Sequence, residues 1–406
     1  MKLSLLPVAL AIALATSASG GLVVTPATVA DRVRAQNPEL AAARWRIGEA
    51  LGRMKQAGRF DNPRLETEFE HDAKFGEGRL SVGLTQRFPL TARLRLEKDL
   101  SATELEAAEA EVREVERRLV AAARTALVKV LAIRQERTLR RNQAEAAKSF
   151  AGAIAKAAEI GEGSLIDAGQ AKLEAARLAT ELRLLDAEEA AAAGELKPLL
   201  GMKPGDDLQP SGELAPVPVP AAGDPSRRPD LQVARLEVRA AEAEAGLARA
   251  KRYDDLEAGV FVGGERKEDA PEGADTEGQI GLRLSIALPW WNDNAGAVEA
   301  AEARAGRMRA EVSAKERGIL HVAAAARAEM AEWAKLERET AGELLPLSGR
   351  QVELAENAYR GGLGELPAVL RAREQRFQLE VTRLHALREF HLARVRFLAA
   401  LNRFQP

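Results

Sequence analysis

The chain copies itself. Asn37-Pro38-Glu39-Leu40, running on to Arg44, lies over Arg228-Pro229-Asp230-Leu231, running on to Arg235, 191 residues later. Leu65-Glu66 lies over Leu256-Glu257 at the same spacing, and Phe88-Pro89 over Leu288-Pro289 at 200, so the second copy carries nine extra residues in between. Gly161, Gly163 and Leu165 lie over Gly362, Gly364 and Leu366 at 201. A long period of this kind means one supersecondary unit made twice, and both halves must then share a shape. The copies are residues 21–200 and 227–406, joined by a Pro/Gly-rich linker or equatorial segment, 201–226.

Each copy reads as helix, strand, strand, long helix, glycine-rich corner, shorter helix. The strands alternate. Leu65, Thr67 and Phe69 share one face, and Glu66, Glu68 and Glu70 the other. Leu80, Val82, Leu84 and Phe88 oppose Ser81, Gly83, Thr85 and Arg87. Leu256, Ala258, Val260 and Val262 oppose Glu257, Gly259 and Gly263, with Phe261 as an exception. Ile280, Leu282, Leu284, Ile286 and Leu288 oppose Gly281, Arg283 and Ser285. Each run is about nine or ten residues, the length of a tilted membrane strand. The segments between paired strands, 71–79 and 264–279, are polar and read as exposed loops.

The helices keep a seven-residue period: Leu105, Val112, Leu119, Ala126 and Ile133, then Val298, Ala305, Val312, Ile319, Ala326 and Trp333, with Leu347 and Leu354 resuming the pattern after Thr340. Such heptads predict left-handed supercoiling of packed helices. Apolar residues make up 46% of the chain but aromatics only 4%. Much of the apolar share is alanine, which suits close helix packing better than a globular core. The first long helix, residues 91–160, would extend about 105 Å. The returning helix covers half of that, so the helices at 38–59 and 229–251 must cover the rest, stacked end to end with it. Pro346 predicts a kink or loosened turn in the second long helix.

Four strands cannot close a membrane barrel, and an open edge in lipid leaves backbone groups unpaired. Three copies give twelve strands, an even number suited to closure, and a ring of identical subunits is the symmetric way to supply them. The apolar faces would meet lipid. Glu66, Glu68, Glu70, Glu257 and Arg283 would face the lumen. Pro89 and Pro289 fall where strands hand over to helices, and Trp290 and Trp291 follow at once, a place where amphipathic rings favour the membrane interface. The start of the chain reads as a signal peptide, residues 1–20: Lys2, an apolar run of about 13 residues too short to span, then Ser17, Ala18 and Gly20. Cysteine is absent, so no disulfide framework or lipid-anchor thiol is expected.

These features resemble the TolC-like outer-membrane efflux protein family, through the duplicated plan, the Arg228 to Leu231 opening of the second copy, and the Tyr359-Arg360-Gly361-Gly362 corner. The resemblance implies a mainly α fold with a small β part: four membrane β-strands per chain, a twelve-strand barrel as a homotrimer, and long coiled-coil periplasmic helices. It places the protein in the outer membrane, in contact with its lipid, with a periplasmic adaptor protein and an inner-membrane pump of the RND type as partners. Asn62-Pro63-Arg64-Leu65-Glu66 and Thr85-Gln86-Arg87-Phe88-Pro89-Leu90 are similar to the cobalt–zinc–cadmium resistance branch, although Thr91-Ala92-Arg93 stands where that branch often has a glycine-rich basic junction. The implied cargo is metal ions or small toxic compounds. By position, Gly161, Gly163, Ser164 and Asp167, and Tyr359, Gly362, Gly364 and Glu365, correspond to the tunnel's periplasmic tip, where the pore closes and the adaptor docks. A gating carboxylate falls at Asp167 or Glu365.

Plainer readings stand beside these. The glycine corners also suit simple helix–helix turns, Trp290 and Trp291 could be junction core, and the acidic strand face an ordinary solvated one. His71, His321, His385 and His391 have no metal-ligand spacing. No nucleophile with a base and no cofactor fingerprint is present, so an enzyme is not expected. Lys and Arg (59) nearly balance Asp and Glu (61), which gives no electrostatic case for nucleic acid. Alternative functions are a soluble periplasmic coiled-coil scaffold or adaptor, and the exit duct of a type I secretion system.

Overall fold

Alternation and heptads become strands and helices where the patterns placed them. The computed structural model describes residues 21–73, 77–269 and 273–403, so the predicted signal peptide lies outside the described residues. The first copy runs through β1 (Leu22–Val24), α1 (Val29–Gln36), α2 (Pro38–Gln56), β2 (Arg64–His71), β3 (Gly78–Phe88), α3 (Arg93–Glu159) and α4 (Leu165–Leu199). After β4 (Leu208–Pro210) the second copy follows: α5 (Pro229–Ala250), β5 (Leu256–Asp269), β6 (Gly273–Ser285), α6 (Ala295–Glu339), a π-helical turn (Thr340–Leu344), α7 (Leu345–Arg360) and α8 (Leu366–Ala400). None of the described helices is long and apolar enough to cross a membrane.

With 67 residues, α3 extends about 100 Å. Its far half packs on α4 and its near half on α2, while α6 packs on α5 and α8, and α7 on α8. The end-to-end stacking has a specific fastening, repeated in both copies. Asn37 caps α2 by accepting from the Leu40 amide (3.0 Å) and donates its Nδ2 to the Leu199 carbonyl at the end of α4 (2.9 Å). Arg228, its counterpart before α5, donates to the Ala400 carbonyl at the end of α8 (3.4 Å) and pairs with Asp230 through two 2.8 Å bonds. Pro38 and Pro229 each open their helix, where a missing N–H costs nothing. Leu40 and Leu231 are buried beneath. The repeated N/R-P-E/D-L motif is therefore a joint between stacked helices.

The largest core lies around the middle of α3. Leu119, Leu127 and Leu131 pack there with Val29 and Val33 of α1 and with Leu196 and Leu200 at the end of α4. Within the 201–226 segment lies β4, which pairs in parallel with β1 to make a two-stranded sheet.

The four long strands form one antiparallel sheet in the order β2-β3-β5-β6, with β2 and β6 at the edges. Lengths of 8, 11, 14 and 13 residues depart from the uniform nine or ten expected. The expected 264–279 loop is corrected: Gly264 pairs with Gly278 and the ladder continues to Asp269 and Gly273. Cross-strand pairing needs only matched backbones, so it persists past the apolar stretch into charged sequence.

The π-helical turn sits just before Pro346, where a loosened turn was expected. Proline cannot donate, and the wider turn absorbs the defect. It also corrects the heptads. Thr340 is fully buried, but Leu347 and Leu354 are exposed, and Ser348 and Val352 are the buried residues of α7. A π turn inserts one residue, so the buried stripe moves one position along the sequence.

Candidate channel surface and periplasmic tip

Register fixes the two faces of the sheet. Glu66, Gly83, Phe261 and Gly281 form one cross-strand row, and Thr85, Gly259 and Arg283 the next, on the same face. Glu68, Glu70 and Glu257 fall on that polar face as well. The opposite face carries Leu65, Phe69, Leu80, Val82, Leu84, Val260, Val262, Ile280, Leu282 and Leu284, all exposed, with Ile280 at 85% and Leu282 at 78%. None of the described helices covers them. An apolar surface of this extent, bare on one face of an open sheet, is what lipid would cover.

The polar face is not simply acidic. Arg283 donates to Glu66 Oε2 (2.9 Å), and the Thr85 hydroxyl donates to Glu66 Oε1 (3.1 Å). Arg87 reaches Glu257 (3.2 Å), Arg79 and Lys267 reach Glu265 (3.4 and 3.5 Å), and Ser81 donates to Glu68 (3.4 Å). Glu70 is exposed in register with Arg79. Phe261, the exception to the alternation, has a reason to be there. A Cβ on Gly281 would come within 2.4 Å of its ring, so the ring lies over that glycine and fills the space of a missing side chain. The lone aromatic on a polar strand face was the sequence signal for this row.

Between β6 and α6, Trp290 and Trp291 are 75% and 94% exposed, their rings edge to face at 6.2 Å. They are not junction core in this chain. Pro289 lies in the same connector, and Asn294, in the left-handed region at φ 61°, starts α6.

At the other end, the two helical corners have the same geometry. Gly161 (φ +81°) and Gly362 (φ +71°) supply the left-handed residue that closes each helix. A Cβ on Gly163 would approach the Ala158 amide at 3.0 Å, and one on Gly364 the Tyr359 amide at 3.1 Å. Turn-making therefore accounts for the four glycines. Ser164 caps α4, its Oγ accepting from the Ile166 and Asp167 amides (3.2 and 3.4 Å). Glu365 occupies the matching place before α8 without a side-chain cap bond.

What joins the corners is the tyrosine. Tyr359 Oη donates to Asp167 Oδ2 (3.2 Å), tying the α7–α8 corner to the α3–α4 corner. Burial and the Asp167 carboxylate raise the phenol above its ordinary value. Tyr359 packs with Phe150, Ile154, Ala171 and Leu366 in a small separate core. Just behind it, Arg373 of α8 stacks over Phe150 of α3 (4.2 Å) and Arg140 of α3 over Phe377 of α8 (3.8 Å), a reciprocal clamp that the sequence did not suggest. The corners themselves bare Ile160, Leu165, Ile166 and Leu363, the last 90% exposed.

Residues 225–403 match the family model described as outer membrane efflux protein. No curated protein matches the sequence. Solved structures do. The chain is similar to CusC, solved in a study of conformational changes accompanying folding and transmembrane channel formation (TM-score 0.76, 17% identity, covering 93% of this chain and 91% of that one). It is similar to the outer membrane protein VceC of Vibrio cholerae (0.73, 19%, 93% and 95%) and to the open MtrE outer membrane channel of Neisseria gonorrhoeae (0.73, 15%, 93% and 88%). At these identities the likeness is one of fold. Residues 225–403 thus carry sequence that matches the outer membrane efflux protein family, and the described chain has the fold of these TolC-like channels along its length.

Proposed function

We propose that three copies close their sheets into a twelve-strand barrel and their helices into a periplasmic tunnel, making a passive conduit for a tripartite efflux system. The observation that carries this is the sheet: a bare apolar face, a polar opposite face, and two unpaired edges in one chain. In lipid those edges must pair, and only another copy offers a matching strand. The polar face, with Glu66, Glu68, Glu70, Glu257 and Arg283, lines the lumen, and Trp290 and Trp291 sit at the membrane interface.

Energy comes from an inner-membrane pump of the RND type through a periplasmic adaptor that docks on the tip. Ile160, Leu165, Ile166 and Leu363 offer it an apolar landing beside Gly161, Gly163, Gly362 and Gly364. The cargo is metal ions or small toxic compounds, chosen by the pump. The Tyr359–Asp167 bond holds the two corners in the closed arrangement, and opening breaks it.

The test is mass measurement in detergent followed by conductance in a planar bilayer. A trimer that conducts is the expected result, and a monomer that never conducts overturns the reading. Asp167→Ala removes the acceptor of the tyrosine bond and should raise single-channel conductance. Unchanged conductance would remove Asp167 from the gate and leave the conduit standing.

A further inference from the structure

On the polar face of the sheet, side chains from two adjacent cross-strand rows bridge it from edge to edge. Glu66 on β2 and Arg283 on β6 stand three strand spacings apart, about 14 Å on a flat sheet, yet their charged ends meet at 2.9 Å. Both side chains must therefore lie along the face, toward each other. The floor beneath them is Gly83, Phe261 and Gly281. The Phe261 ring fills the space over Gly281, and the Arg283 guanidinium stands 5.7 Å from the ring centroid. Thr85 holds the second oxygen of Glu66. The position is near the helix end of the sheet: Glu66 is the third residue of β2 and Arg283 the third from the end of β6.

We infer that the Glu66–Phe261–Arg283 bridge, spanning two adjacent rows, is a charge-balanced collar that sets the ion selectivity of the pore, with Arg283 keeping the acidic strand face from making it cation-selective. The inference rests on the reading of this face as the lumen of a three-chain barrel. Three-fold symmetry then repeats the bridge at one height, with three carboxylates and three guanidinium groups within a narrow belt. Fixed charges act over about 10 Å at 0.1 M salt, so paired charges in the belt cancel for a passing ion while unpaired ones do not. A substitution at either end of the bridge changes the collar by three charges and leaves the sheet's backbone pairing untouched.

The experiment is reversal-potential measurement on the full chain in planar bilayers, under a potassium chloride gradient. Arg283→Gln should raise the potassium-to-chloride permeability ratio about threefold at 0.1 M, and the change should shrink at 1 M, where screening acts within about 3 Å. Glu66→Gln should move the ratio the opposite way, and the double variant should return it to the parent value. If Arg283→Gln fails to assemble, Glu66→Gln decides alone by the direction of its shift. Conducting channels whose ratio neither variant changes would overturn the collar, whereas a parent protein that does not conduct would overturn the conduit reading beneath it.

Discussion

Arg228 and Asp230 show what a single residue does in a fold this elongated. Their side chains are 11% and 13% exposed, and Arg228 also reaches the Ala400 carbonyl at the end of α8. Burial pushes the Asp230 carboxyl up, but the Arg228 hydrogen bond and charge, with Lys315 and Arg117, outweigh it and hold the group below the ordinary carboxylate range. A carboxyl lower in the folded chain than its unfolded value of about 3.9 adds stability above that pH. The contribution is lost as pH falls through the folded value, so the joint loosens in acid below about pH 4. Arg228→Ala should cost about 3 kcal/mol, the low end for breaking a buried pair, since Lys315 remains 3.6 Å from the carboxylate. Urea unfolding followed by helical circular dichroism in detergent measures it, and a loss below about 1 kcal/mol, the worth of a surface pair, would deny the joint its role. Asp230→Asn should flatten the acid limb of the same curve. The motif itself was legible at both positions because the copies repeat it. Its purpose was not, because the bonded carbonyls lie more than 160 residues away in sequence.

At the scale of elements, period decided what could be read. Sixty-seven residues of α3 announce themselves because a heptad reports at every turn. The same counting failed past Thr340, since it assumes a uniform helix and the π turn inserts a residue that leaves no mark in composition. Pro346 gave the place of the irregularity and not its kind. For the strands, alternation identified the two faces because one carries apolar and the other polar side chains, but it could not fix where the ladder ends, as the β5–β6 hairpin shows. That two-medium reading has a direct test. Leu282→Arg places a charge on the bare apolar face, where arginine costs about 2–4 kcal/mol near mid-membrane. Ser81→Arg places the same side chain on the polar face beside Glu68. Insertion into outer membrane, scored by fractionation, should fall sharply for the first variant and stay near the parent level for the second. Equal behaviour of the two would mean that the faces do not meet different media.

For the whole molecule, the arrangement of helices says where copies would touch in the proposed ring. In the tip half the packing order is α4, α3, α8, α7, so α4 and α7 are the outer helices of each chain. A ring built by rotation sets one outer edge against the other, a heterologous contact that closes. Both edges are apolar: Leu173 and Leu184 on α4 are 73% and 62% exposed, and Leu347 and Leu354 on α7 are 57% and 71%. The phase shift at the π turn is what brings Leu347 and Leu354 outward, and in the proposed ring those leucines would lie at the subunit seam. Four strands, too few to close a barrel, made the proposed ring readable in sequence, but its seam was not, because a heptad leucine looks the same whether its partner is its own chain or the next. Leu354→Glu sets a carboxylate in the seam while leaving α7's own buried residues, Ser348 and Val352, in place. The variant chain should keep its helical circular dichroism and lose trimer mass in detergent, and combining it with Leu173→Lys should recover part of that mass by pairing the two charges across the seam. A trimer undisturbed by Leu354→Glu would mean that α7 faces water or the lumen, and that the copies meet along some other edge.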